Sequence, residues 1–269
     1  METKLIQKLD SAQTCIIIDF DKTITLGKVG GVNVPSIISI LRSEDHLSPE
    51  YSELAKALHA KYQPIEADHS LPFETRYKVM ESWWTEHLDL LIKSGLTLNH
   101  VKLASESKQI VIRSGFAELV KYTSENNIPL VIFSASGIGF ESIEFTLKRD
   151  DLLTSNITII SNRFIWDENG IAANRVLPTI HSLAKTGIIL KNTEAWNKIK
   201  DKKCCVVVGD AIHDLSMSEG IDFEKVISFG VLNEVTLENV ALYESKFTHV
   251  ILGDEKNNQS LIKVLEVFE

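Results

Sequence analysis

An α/β fold, a Rossmann-like parallel sheet carrying a helical cap inserted after its first strand, is what this sequence predicts. Three observations lead there. Short apolar runs recur along the chain and each ends in polar residues, the way parallel strands read when helices cover both faces of a sheet. Amphipathic stretches lie between those runs, and strand alternating with helix gives a doubly wound sheet. The segment 24–113 breaks the alternation with long helical patterns.

Taken in order, TCIIIDF is the first strand, and its continuous apolar run marks it as central. The helical patterns PSIISILRSEDH, PEYSELAKALHAKY and PFETRYKVMESWWTEHLDLLIKSG follow, and no run in 24–113 reads as a strand. GFAELVKYTSENN places Phe116, Leu119, Val120 and Tyr122 at amphipathic spacing and leads as a helix into the second strand, PLVIFS. NITIIS is the third strand. The Gly and Asn of ENGIAANRV signal a small β excursion after it. NTEAWNKIKD is helical, KCCVVVGD is the fourth strand, and THVILGD is a weaker fifth. The expected organisation is a core of residues 1–23 and 114–269 with a helical cap at 24–113.

Of the 269 residues, 44% are apolar and 24% charged, the average for a soluble globular protein. A formal charge of −9 repels a polyanionic backbone, so no nucleic-acid polymer is expected as partner. Near a bound cation and a lysine or two, a single phosphate group is still compatible. No run approaches the 18 apolar residues of a membrane span, and METKLIQKLDSAQ lacks the apolar stretch of a signal peptide. A cytoplasmic monomer without membrane association is expected. Cys15, Cys204 and Cys205 lie inside apolar runs, an odd count with neither zinc nor disulfide spacing, and read as packing residues.

Asp19 and Asp21 stand two apart at the end of the first strand, so period-2 geometry sends both carboxylates to the same side of its carboxyl edge. Ligands of open α/β sheets bind at that edge. Paired carboxylates there suit a magnesium ion, which takes few protein oxygens and completes its shell with water and phosphate; they also suit an aspartyl-phosphate intermediate. Asp210 and Asp214, four apart just after the fourth strand, share one face of a turn or helix start. Ser134 ends the second strand ahead of Ala135, Ser136, Gly137 and Gly139, a loop whose N–H groups and hydroxyl can cradle phosphate oxygens. Lys185 in SLAKTG supplies an ammonium among small residues. Taken singly, each of these reads more readily as a turn, a helix cap or a solvated surface residue, and only the set together reverses that preference.

The ordered set DFDKT at 19–23, Ser134, Lys185 and GDAIHD at 209–214 resembles the haloacid dehalogenase superfamily. The resemblance implies that Asp19 attacks phosphorus, that Asp21 protonates the leaving oxygen and then activates water, and that Ser134 and Lys185 hold the phosphoryl oxygens. It implies Mg2+ held by Asp19, the backbone carbonyl of Asp21, and Asp210, with Asp214 in the outer shell. The stretches YQPIEADH, IPLVIFSASGIG, IISNRFIWDENG, IHSLAKTGIILKNTE and VVVGDAIHDLSM are similar to the type III cytosolic 5′-nucleotidases, the pyrimidine and 7-methylguanylate nucleotidases, over about residues 13–253. That narrower resemblance implies a nucleoside 5′-monophosphate as substrate, with Glu66 recognising the base. His87 falls where that family has a serine contacting substrate, and SASGIGF carries one residue more than the family's loop, so that either Ala135 or Ser136 offers the second phosphate contact.

Adjacent on a helix, Trp83 and Trp84 must point in different directions, one inward and the other free to face the cleft. His213 is read as a loop residue, because a hard cation prefers oxygen. Two further readings stay open: a phosphatase for another small phosphomonoester such as phosphoserine or a sugar phosphate, and a non-catalytic ligand-binding protein on the same fold.

Overall fold

The computed structural model describes residues 8–43, 46–68, 70–253 and 260–268. With strands numbered along the chain, the centre is a parallel sheet of Thr14–Ile18 (β1), Leu130–Phe133 (β4), Ile157–Ile160 (β5), Cys204–Gly209 (β8), Lys225–Leu232 (β9) and His249–Leu252 (β10), in spatial order β10-β9-β8-β1-β4-β5. Two small antiparallel hairpins accompany it, Lys28–Val29 (β2) with Val32–Asn33 (β3) and Phe164–Trp166 (β6) with Ala172–Arg175 (β7). The chain begins in the middle at β1, adds β4 and β5 on one side, then crosses to lay down β8, β9 and β10 on the other. Neighbours β1 and β8 therefore send their connections in opposite directions, and at such a switch point a crevice opens at the strands' carboxyl ends.

Among its described residues, the segment that breaks the alternation holds four helices: Ile37–Ser43 (α1), Pro49–Ala67 (α2), Phe73–Lys93 (α3) and Leu98–Ser105 (α4). Ser48 caps α2 by accepting from Tyr51 N, and Pro49 sits at its first position, where no amide hydrogen is needed. The segment leaves and re-enters the core through two strands of chain zipped together: Leu26 N donates to Val111 O at 2.9 Å and Arg113 N to Ile24 O at 2.7 Å. Phe116–Glu125 (α5), Phe140–Arg149 (α6), Gly187–Leu190 (α7), Trp196–Ile199 (α8) and Leu237–Lys246 (α9) complete the helices. Alternation along β1 splits its side chains between two cores. Ile16 and Ile18 pack with Phe116, Leu119 and Ile143 on one face, while Cys15 and Ile17 pack with Leu190, Ala195 and Ile199 on the other. None of the described helices is long and apolar enough to cross a membrane.

The five expected strands coincide with β1, β4, β5, β8 and β10, and the excursion at ENGIAANRV is the β6–β7 hairpin. Three readings need correction. A sixth strand, β9, was missed because Ser228 and Gly230 interrupt its apolar run; Ser228 is satisfied locally by exchanging hydrogen bonds with Thr248, and Gly230 leaves room for the ring of Phe247. Segment 24–113 does contain strand, the short β2–β3 hairpin, turned by Gly30 and Gly31 at positive φ. In NTEAWNKIKD the regular helix is one turn, α8. Residues 1–7, 44–45, 69, 254–259 and 269, which include the ends of the expected first cap helix and of the fifth strand, lie outside the described residues.

Candidate active site

Three adjacent strands deliver the acidic and hydroxyl groups to one edge of the sheet. Asp19 follows β1, Ser134 follows β4 and Asp210 follows β8, so all three stand at the switch-point crevice. Asp19 is held by its amide, which donates to Val208 O at 2.9 Å, and by Thr23 Oγ1, which donates to its Oδ2 at 3.2 Å. The chain then turns tightly through Phe20–Ile24 with Lys22 in the left-handed region at φ 59°, a conformation that costs a non-glycine residue about 1 kcal/mol. Two donors hold that turn by the Lys22 carbonyl: Arg113 Nη2 at 2.8 Å and Asn233 Nδ2 at 2.9 Å. Asp21 is carried on this turn into the same cleft.

Lys185 reaches the crevice from the short helical turn Ser182–Ala184. Its Nζ lies 2.6 Å from Asp19 Oδ1 and 2.5 Å from Asp214 Oδ1, with all three side chains buried. Asp214 Oδ2 accepts from Ala211 N at 3.0 Å, so both of its oxygens are engaged within the protein. Carboxylate oxygens of Asp19, Asp210 and Asp214 lie within 4.8 Å of one another. Burial lifts the Asp19 carboxyl to about 7; Lys185 opposes this and Asp214 adds to it. Burial likewise raises Asp210, reinforced by Asp19, and raises Asp21 against the pull of Lys22 and Lys185. Burial alone would lower Lys185, but Asp19 and Asp214 outweigh it and hold the ammonium charged. Four carboxylates with one buried ammonium leave the site short of positive charge. A divalent cation that prefers hard oxygens is the group such a donor set fits.

In the loop after β4, Ser134 Oγ accepts from Ser136 N at 3.1 Å. Ser134, Ala135 and Gly137 line the cleft. Ser136 turns its hydroxyl away, within 3.1 Å of Ser142 Oγ at the start of α6, and Asn162 Nδ2 donates to its carbonyl. His213 stands in the helical turn Ile212–Ser218 on the cleft wall, not in a loop.

Opposite this edge, α1, α2 and α3 close a cleft of about 780 Å³, a volume in the range of small-molecule sites. Glu66, in the last turn of α2, accepts at Oε1 from Ser182 Oγ at 3.2 Å, and burial raises its carboxyl. His87 is buried on α3, and burial with the nearby Arg42 charge lowers its imidazole to about 4. Trp83 packs inward with Tyr62, Met80 and Leu183, while Trp84 faces the loop after β4 and donates from Nε1 to Ala135 O at 3.1 Å. The cleft thus gathers Asp19, Asp21, Glu66, His87, Ser134, Ala135, Lys185, Asp210 and Asp214; Ser136 is adjacent but turned aside. Sequence reasoning missed Arg42, Ser182, Arg113 and Asn233. Arg113 at the expected boundary of the insertion was the one visible signal, since a chain that re-enters a core needs something to anchor it.

A family model described as pyrimidine 5′-nucleotidase (UMPH-1) matches residues 22–267. The 7-methylguanosine phosphate-specific 5′-nucleotidase A of Xenopus laevis is 28% identical over 251 residues, covering 93% of this chain and 86% of its own. The 7-methylguanosine phosphate-specific 5′-nucleotidase of Homo sapiens is 28% identical over 241 residues, covering 89% and 80%. Among solved structures, cytosolic 5′-nucleotidase IIIB bound to cytidine superposes with a TM-score of 0.82 at 24% identity, covering 96% of this chain and 85% of that one. A phospho-aspartyl intermediate analogue of phosphoserine phosphatase shares the fold more loosely, with a TM-score of 0.55 at 17% identity, covering 98% and 100%.

Proposed function

The chain belongs to the pyrimidine 5′-nucleotidase (UMPH-1) family, and from that membership we propose that it hydrolyses nucleoside 5′-monophosphates to nucleoside and phosphate in two steps through an aspartyl-phosphate on Asp19. In the first step a carboxylate oxygen of Asp19 bonds to phosphorus while the bond from phosphorus to the 5′ oxygen breaks, and Asp21 gives its proton to that oxygen. The raised pKa of Asp21 suits a carboxyl that must arrive protonated. In the second step Asp21 takes a proton from water as the water oxygen bonds to phosphorus, and the bond to Asp19 breaks.

Lys185 keeps Asp19 in place and offsets the charge of the phosphoryl oxygens, and Ser134 with the amides of its loop binds those oxygens. Asp19, Asp210 and the carbonyl of Asp21 are the groups that would hold Mg2+, with Asp214 behind them engaged by Lys185 and Ala211. When bound, the ion supplies positive charge against the phosphate and the carboxylates. Residues 24–113 are read as the cap, with 1–23 and 114–269 as the catalytic core, and Glu66 and His87 face the base from that cap. The cytoplasm is its proposed location, in keeping with the cytosolic nucleotidase it superposes on.

The observation that carries this reading is the convergence of Asp19, Asp21, Ser134, Lys185 and Asp210 on one crevice from separate stretches of chain. The test is phosphate release with Mg2+ from CMP, UMP, 7-methyl-GMP, AMP, GMP and phosphoserine, run on the wild type and Asp19→Asn. Hydrolysis of nucleotides that vanishes in the variant supports the proposal. Activity confined to phosphoserine keeps the catalytic chemistry and removes the nucleotide, and no activity above the variant points to a binding protein.

A further inference from the structure

Beside Ser134 one peptide unit is held at both ends, by two different parts of the chain. The carbonyl of Ala135 accepts from Trp84 Nε1 on α3 at 3.1 Å. The amide of Ser136, which is the N–H of that same peptide, donates to Ser134 Oγ at 3.1 Å. A trans peptide is planar, with its C=O and N–H pointing opposite ways, so whatever fixes the one aims the other. The rest of the loop is held from the sheet and from α6: Ser134 N donates to Ile160 O at 3.0 Å, Asn162 Nδ2 to Ser136 O at 3.2 Å, and Ser136 Oγ lies 3.1 Å from Ser142 Oγ. None of these reaches the Ala135 carbonyl, for which Trp84 is the donor.

Ser134 is buried and lines the cleft. A hydroxyl has one proton and two lone pairs. Ser136 N takes one lone pair, and the proton finds no acceptor among the described residues, so the Ser134 O–H is left for a ligand in the cleft. A hydroxyl that accepts one hydrogen bond donates the next more strongly, and a chain of such bonds is polarised along its length. A partly buried indole ordinarily finds some acceptor; here the acceptor is the peptide whose other end bonds Ser134. The donor is also well placed. The Trp84 ring stands edge-on to Trp83 with centroids 5.0 Å apart, and α3 is tied to the β6–β7 hairpin through Arg175 Nε and Asp89 Oδ1 at 2.9 Å.

We propose that Trp84 is a positioning residue for phosphate binding: its indole N–H sets the Ala135–Ser136 peptide so that Ser136 N occupies Ser134 Oγ and the Ser134 proton is directed to a phosphoryl oxygen. This rests on the phosphate chemistry of the reading above and is independent of the base.

The experiment measures the dissociation constant of inorganic phosphate, with Mg2+, in the wild type, Trp84→Phe, Ser134→Ala and the double variant. Inorganic phosphate has no base to stack, and phenylalanine keeps an aromatic ring while removing the N–H. Trp84→Phe is expected to weaken phosphate roughly five- to tenfold, the scale of one hydrogen bond. In the Ser134→Ala background the same change should cost less than about twofold, because its effect travels through Ser134 Oγ. A dissociation constant does not depend on what fraction of the chain is folded, so partial unfolding of a variant does not enter. In the wild type, the indole Nε1–H resonance of Trp84 should also move on saturation with phosphate, a measurement that needs no variant. Unchanged affinity in Trp84→Phe, an equal loss with and without Ser134 Oγ, or an unmoved resonance overturns the inference and leaves the nucleotidase reading standing. A wild-type chain that binds no phosphate removes both together.

Discussion

Lys185 Nζ lies 2.6 Å from Asp19 Oδ1, a buried ammonium against the carboxylate proposed as nucleophile. The pair holds Asp19 in place but does not fully offset its burial, because the same ammonium is shared with Asp214 and the remaining balance of the crevice is acidic. Function and stability are therefore opposed at this residue.

Asp19→Asn is expected to abolish turnover while stabilising the metal-free chain. The folded-state pKa of about 7 exceeds the reference 3.8, so the folded chain carries the extra proton between those values. The penalty for charging Asp19 is absent below about pH 4, grows through the window from 4 to 7, and is complete above 7. Denaturant unfolding in EDTA should show Asp19→Asn more stable by on the order of 2 kcal/mol at pH 8, and little different from wild type at pH 4. Equal stability at pH 8 would show that the crevice does not disfavour the charge.

Buried histidines act with the opposite sign. His87 and His181 are lowered from 6.5 to about 4, chiefly by burial, so the unfolded chain takes up protons first and stability falls as pH drops from 6.5 to 4. Neither ring nitrogen of His181 has a hydrogen-bond partner among the described residues, and its ring meets Tyr77 edge-on at 4.6 Å. His181→Phe should therefore flatten the acid limb of a stability profile measured between pH 7 and 4. An unchanged slope would remove His181 as a contributor.

Arg113→Met should destabilise the chain by at least about 3 kcal/mol. The buried guanidinium donates to the carbonyls of Lys22, Thr23, Thr25 and Gly253 and to Asn233 Oδ1, and each buried acceptor left bare costs about 1–3 kcal/mol. Urea unfolding measures the loss. A change below 1 kcal/mol would mean that water replaces the guanidinium.

Gly209→Ala should lower kcat about 10- to 100-fold, the usual cost of disturbing the groups behind a metal site. A Cβ built at 209 lies 2.4 Å from both Cβ and Oδ2 of Asp214, so Asp214 must move and Lys185 loses its second anchor. Steady-state kinetics with saturating Mg2+ tests this, and wild-type kcat in the variant would show that Asp214 does not need its present position.

Magnesium should raise the thermal midpoint of the wild type in a concentration-dependent way, because a ligand that binds only the folded state stabilises it. Asp210→Asn should lose most of that shift, and EDTA should abolish turnover reversibly. A midpoint indifferent to Mg2+ would count against the Asp19, Asp210 and Asp214 cluster as its site.

Five of the six strands of the main sheet were readable because parallel strands buried on both faces leave continuous apolar runs, as at Ile16–Ile18 and Val206–Val208. The strand β9 was not, because Ser228 and Gly230 answer to neighbours distant in sequence, Thr248 and Phe247, and so break the local pattern. Asp19, Asp21, Ser134, Lys185 and Asp210 could be picked out in advance since each stands in a short motif, and strand-end position is a local property.

Which side chains share the cleft depends instead on strand order and on how α1, α2 and α3 pack. Glu66 was marked in advance by the stretch YQPIEADH, whereas Arg42 sits in an ordinary helical pattern and nothing near it in sequence marks it as facing the same space as Asp19. The role of Ser136 likewise depended on α6, whose Ser142 draws its hydroxyl away from the cleft. Chemistry carried by contiguous residues was written in the chain; the make-up of the wall that α1, α2 and α3 present to the cleft, and the anchoring of the Asp21 turn by Arg113 from ninety residues away, arise only when separate segments are brought within hydrogen-bonding distance.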